Sequence, residues 1–128
     1  MHTGTMKKTC AIFLLVMVMI PTMAGATSYV PEKHYREGWC REHGGQVDVL
    51  LSDQIHCDCL TETHAVEFES APNWANAIGK ALYRADQTGK KAGVVLILKS
   101  KENFKCWLML NSTIKDFNLP IDTWMIEE

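Results

Sequence analysis

The 128 residues hold no Walker loop, no Gly-x-Ser-x-Gly elbow, no His-Glu-x-x-His pair and no dinucleotide-binding glycine fingerprint. Triphosphate cleavage on a phosphate-cradling loop, serine hydrolysis, zinc-helix proteolysis and nicotinamide chemistry therefore lack their usual sequence supports. There is no internal repeat and no low-complexity tract. Basic charge is scarce, with 13 Lys and Arg against 15 Asp and Glu. That balance argues against an unaided grip on a nucleic-acid backbone, although a local basic patch or a bound metal ion can reverse the field. No apolar run reaches the roughly 20 residues that span a bilayer.

The longest such run, Cys10 to Ile20, follows Lys7 and Lys8 and precedes Pro21, Thr22 and the triplet Ala24-Gly25-Ala26. A basic start, a short apolar core and small residues at a cleavage position make a secretory signal peptide over 1–26. The expected cut falls after Ala26, with Ala24 as the alternative. A single exported domain, 27–128, would remain, without stable membrane insertion and destined for a periplasmic or secreted compartment. Lys7 and Lys8 leave with the leader, so 11 basic residues face 15 acids and the net charge is about −4. Such a chain is one small domain with one core.

Four cysteines stay in that domain: Cys40, Cys57, Cys59 and Cys106. An even number in a small exported chain suggests disulfides. Cys57 and Cys59 lie two apart on a predicted strand, where a direct bridge is strained. The sensible pairings therefore send Cys40 and Cys106 to one each; the alternative is buried reduced thiols. Zinc is a weaker reading, because Cys-x-Cys has no second paired motif here.

Pro31 and Glu32 open a helix over Glu32 to Glu42, with Tyr35, Trp39 and Cys40 as its apolar stripe and Gly44-Gly45 as its stop. Gln46 to Leu51 alternates as a strand. Ile55 to Leu60 forms another, with His56 and Asp58 on one face and Cys57 and Cys59 on the other. A tight turn leads to Val66-Glu67-Phe68-Glu69, where period two puts both glutamates on one face. With Glu62 and Thr63 as loop residues, or with a four-residue loop from Thr61 to His64, Asp58 sits opposite Glu67 and His56 opposite Glu69. A three-residue loop slips the register and separates them.

Asn73 is positioned to cap a helix over Trp74 to Thr88 that Gly89 ends. Ala77, Gly79 and Ala81 allow it to pack closely on the sheet. Val94 to Leu98 reads as a strand buried on both faces, parallel to its neighbour across the helix. Beyond it the pattern predicts a short helix over Lys101 to Lys105, a strand candidate over Cys106 to Leu110, an irregular or briefly helical stretch to Leu119, and a packed tail that is a possible last strand. Asn111-Ser112-Thr113 matches the N-glycosylation acceptor pattern. The expected class is α/β: a small mixed central sheet flanked by helices, in the order α-β-β-β-α-β.

With Asp58 on the second strand and Glu67-Phe68-Glu69 on the third, this order resembles the restriction-endonuclease-like superfamily. Its signature is an Asp on the second core strand, then an acid, any residue and usually a Lys on the third. The helix from Trp74, with Gly79, Lys80, Leu82 and Tyr83, resembles the one that follows in the resolvase-like branch, where a polar side chain such as Lys80 or Arg84 reaches the site. Glu37 is similar to the extra acid that some members carry in the first helix. Glu69 stands where lysine is usual; some members with an acid there are active and others are not.

The resemblance implies a restriction-endonuclease-like core and a divalent-metal-dependent phosphodiester hydrolase, or a catalytically inactive relative with a binding or structural role. Asp58, Glu67 and Glu69 would hold Mg²⁺ or Mn²⁺, Glu37 would support the ion, and Lys80 would stand in for the strand lysine. His56 and His64 are further candidates for proton transfer or phosphate contact. Nucleic acid is the implied partner.

Overall fold

A computed structural model describes Gly25 and residues 31–128. Apart from Gly25, the expected leader at 1–26 lies outside the described residues. Helix α1 (Glu32–Glu42) is followed by β1 (Gln46–Leu50), β2 (His56–Leu60) and β3 (His64–Ser70). A 3₁₀ turn (Ala71–Asn73) leads into α2 (Trp74–Thr88) and then β4 (Lys91–Leu98). A second 3₁₀ turn (Lys101–Asn103), α3 (Phe104–Asp116) and β5 (Ile121–Glu127) complete the chain. The five strands make one sheet in sequence order. β2 runs antiparallel to both β1 and β3, whereas β3, β4 and β5 run parallel. The described residues make an α/β fold, a small mixed sheet with three helices.

β4 is the centre of packing. Ala92, Val94, Leu96 and Leu98 join one buried cluster with Ala77 and Ala81 of α2 and Cys106 and Leu110 of α3. Val95 and Ile97 join the other, with Cys40, Cys59, Val66 and Phe68, walled by Trp39 and Trp124. A strand buried on both faces reads as a continuous apolar run, and that is what this segment shows. On α2, Ala77 and Ala81 are fully buried. Gly79 is not needed for close approach, since a methyl group there would meet nothing within 4 Å. Gly89, at φ 67°, closes the helix by sending its N–H to the Ala85 carbonyl, the left-handed stop that glycine provides. Asn73 makes no capping bond with its side chain; it is part of the 3₁₀ turn that precedes the helix.

The stretch after β4 departs from expectation. Residues 104–116 form one helix, and there is no strand over Cys106 to Leu110. Cys106 and Leu110 are both buried and four apart, and Trp107 and Ile114 pack beside them. That is helical spacing, and a run of five apolar residues is too short to display it against a strand pattern. Within α3 the Asn111 amide donates to the Trp107 carbonyl at 2.9 Å, and its oxygen accepts from the Thr123 hydroxyl at 2.7 Å. The tail is a full strand, β5, aligned along β4 from Ala92↔Ile121 to Leu98↔Glu127.

Among the described residues one disulfide forms, Cys40–Cys59, tying α1 to β2. Cys57 and Cys106 are free and buried, so the second bridge is not made. Cys106 belongs to the core layer under α2 and α3, on the other side of the sheet from Cys40 and Cys59. A bond of this kind belongs to an oxidising, non-cytoplasmic environment. Among the described residues, no helix is long and apolar enough to cross a membrane.

Candidate functional site

The hairpin joining β2 to β3 sets the register. Thr61 donates its N–H to the His64 carbonyl at 2.9 Å, and its hydroxyl accepts the amides of Thr63 and His64 at 3.3 and 2.9 Å. The Lys90 ammonium seals the turn by donating to the Thr61 and Glu62 carbonyls. Cys59 then faces Val66 and Leu60 faces Ala65, which carries Asp58 opposite Glu67. Beyond that point the strands part. Asp58 reaches across the gap, and its Oδ2 accepts the Phe68 N–H at 2.9 Å. A side chain thus takes a ladder position that a backbone carbonyl would otherwise fill.

Parity along β3 sends Glu67 and Glu69 toward α2, where Lys80 and Arg84, one turn apart, meet them. Lys80 is hydrogen-bonded to Glu69. That bond is the main reason its proton is held more firmly than usual. Arg84 Nε lies 2.7 Å from Glu67 Oε1, yet its N–H is directed to the His56 carbonyl at 3.1 Å. Glu67 Oε1 is consequently buried, close to a positive charge, and without a hydrogen-bond donor. The Glu67 side chain is 5% exposed. Burial, and then the Asp58 carboxyl within hydrogen-bonding reach, push the Glu67 pKa well above the carboxylate range; the charges of Arg84 and Lys80 pull it back only in part. Two acids that share one opening cannot both ionise cheaply.

From the other side comes Arg36 of α1, with Nη1 3.4 Å from Asp58 Oδ1. The sequence reading passes over Arg36. Its signal is the four-residue spacing Glu32, Arg36, Cys40, a stripe whose members all reach the sheet. Glu32 accepts from Ser70 at 3.4 Å, Arg36 meets Asp58, and Cys40 is bonded to Cys59. Glu37, the acid expected to support a metal, lies one position off that stripe. It pairs with Lys33 and Arg41 along its own helix, each at 3.7 Å.

Neither histidine is brought to the acids by its ring. His56 turns its ring to Asp48, 3.4 Å from both the carbonyl and the carboxylate. His64 shares parity with Val66 and Phe68, the opposite face from Glu67. There its Nε2 meets Asp122 at 2.6 Å and its Nδ1 meets the Thr63 hydroxyl at 2.7 Å, edge-on to Trp124.

Among the described residues no three His, Cys, Asp or Glu side chains are grouped to hold a metal ion. The geometry joins two acids, Asp58 and Glu67, and leaves the third, Glu69, with Lys80. A two-carboxylate set still suits Mg²⁺, which is commonly bound through one or two carboxylates together with substrate phosphate. The donorless Glu67 oxygen beside Asp58 is the feature that a cation would satisfy.

No family model, characterised protein or solved structure matches the chain.

Proposed function

We propose that this protein is a divalent-metal-dependent phosphodiester hydrolase with a restriction-endonuclease-like core, working in a periplasmic or secreted compartment on nucleic acid. One observation carries the reading: Asp58 and Glu67 face each other where β2 and β3 part, and Glu67 Oε1 is buried there without a donor. Asp58 and Glu67 would hold Mg²⁺ or Mn²⁺. A bound ion of this kind neutralises charge on the transferring phosphorus and lowers the pKa of water.

The remaining parts are the chain's own. Glu67 would release its proton to solvent on binding a cation. The Phe68 amide fixes Asp58 from the strand behind it. Arg84, anchored on the His56 carbonyl, holds positive charge against Glu67. Lys80, half exposed and paired with Glu69, presents a cation toward solvent where phosphate approaches. It takes the place of the lysine that Glu69 displaces.

The test is calorimetric titration with Mn²⁺, followed by cleavage of plasmid and of labelled single strands in Mg²⁺. Asp58→Ala and Glu67→Ala should each weaken Mn²⁺ binding at least tenfold and abolish cleavage, with the fold intact by circular dichroism. Equal background cleavage by wild type and both variants overturns the enzyme reading. A catalytically silent relative is the second reading, and it too has an observation behind it: each of the three acids already sits beside a cation. A folded wild type that binds no Mn²⁺ selects it.

A further inference from the structure

Arg36 carries a second orphan. Its Nε is buried and has no hydrogen-bond partner. Its contact with Asp58 is single and long, Nη1 to Oδ1 at 3.4 Å. A guanidinium beside a carboxylate ordinarily presents two parallel N–H groups to two oxygens. That fork is not formed here: Arg36 makes the one contact, and the other Asp58 oxygen accepts the Phe68 amide at 2.9 Å. Asp58 is held by the strand, and Arg36 is held by a helix anchored one turn before it at Ser70 and one turn after it at the disulfide. The arrangement therefore keeps a donor unfilled on one side of Asp58 and an acceptor, Glu67 Oε1, unfilled on the other.

We propose that Arg36 binds a phosphoryl oxygen of the substrate, with Nε–H as the donor kept for it. The proposal rests on the phosphodiester reading above and adds the group that holds the anion. A cation answers the unfilled acceptor and a tetrahedral oxyanion answers the unfilled donor, so a metal–phosphate pair satisfies both orphans at once. The planar fork of arginine, with Nε and a terminal nitrogen in one plane, suits two oxygens of a phosphate better than the point charge of lysine. The Arg36 side chain is 25% exposed, which gives a ligand a route to the guanidinium.

The experiment titrates the purified protein with inorganic phosphate, with acetate as a planar control and with Mn²⁺, by calorimetry. Wild type, Arg36→Gln and Arg36→Lys are compared, each checked for a native melting transition. Arg36→Gln should bind phosphate at least tenfold more weakly than wild type and Arg36→Lys should fall between them. Mn²⁺ affinity should stay level or rise, because a cation competing for Asp58 has gone. Phosphate affinity unchanged in Arg36→Gln overturns the proposal, as does a wild type that binds no phosphate or binds acetate equally well. Should Arg36→Gln fail to fold, unchanged phosphate affinity in a natively melting Arg36→Lys overturns it in the same way. Phosphate binding that depends on Arg36 in a protein that binds no Mn²⁺ supports this assignment while defeating the metal reading.

Discussion

Glu67 is an acid held in the wrong solvent. Its raised pKa means that the folded chain binds the proton more tightly than the unfolded one. Stability from this group is therefore fully present below the ordinary glutamate range and declines as pH climbs toward the folded value. In metal-free buffer the urea midpoint of wild type should fall between about pH 5 and pH 8 relative to that of Glu67→Gln, which cannot ionise. Mn²⁺ at the upper pH should restore the wild-type midpoint and leave the variant unmoved, since a ligating carboxylate must be deprotonated. A difference between the two proteins that does not change with pH would show that Glu67 is ionised throughout. Asp58 and Glu67 are legible in the sequence because strand parity with a two- or four-residue loop places them opposite each other, where a three-residue loop would separate them. Arg36 is not, since a helix residue reveals its target only once the helix is docked. Glu37 shows the same limit: one residue along α1 is enough to turn it toward Lys33 and Arg41.

The elements around the site are pinned by the Cys40–Cys59 bond, which closes a separation of 19 residues. In the chain-entropy view a loop of that size contributes about 3 kcal/mol. The paired Cys40→Ala and Cys59→Ala variant should lose roughly that much in urea unfolding. Gly45 lies against the same bond. A methyl group there would sit 2.5 Å from the Cys59 sulfur and 2.7 Å from the Cys40 sulfur. Gly45→Ala should therefore cost about 1–3 kcal/mol by overpacking, and the loss should shrink in the background without the disulfide. An equal loss in both backgrounds would place the strain elsewhere. α1, α2 and the first three strands were readable from helix stops and alternation, and β4 from its unbroken apolar run, although it begins at Lys91 and not at Val94. α3 was not, because Cys106 to Leu110 suits a buried helix and a buried strand equally, and only the second core layer decides between them.

At the scale of the molecule, two core layers share one central strand, and the cysteines divide between them. Cys57 sits fully buried; burial and then the charge of Glu67 push its thiol up to about 11, so it is neutral and unreactive at physiological pH. Iodoacetamide should label neither Cys57 nor Cys106 in the native protein. In denaturant without reductant it should label both, and with reductant Cys40 and Cys59 as well, as read by intact mass. Labelling of all four without reductant would mean that the bridge is not made. The order of elements along the chain was expected only as far as β4. β5 remained a possible strand, because its alternation is broken by Trp124, Met125 and Ile126 in succession.

The join between β2 and β3 covers the pairs Cys59↔Val66 and Leu60↔Ala65, and past it the two strands form the jaws of a clamp with one acid on each. So short a join is backed across the gap by the Asp58–Phe68 bond. The sulfur pin from α1 adds a second tie, one residue from Asp58. Both bridged cysteines are fully buried, so a reductant would reach that pin only after local opening, and the rate of its reduction would report how often α1 lifts from the sheet.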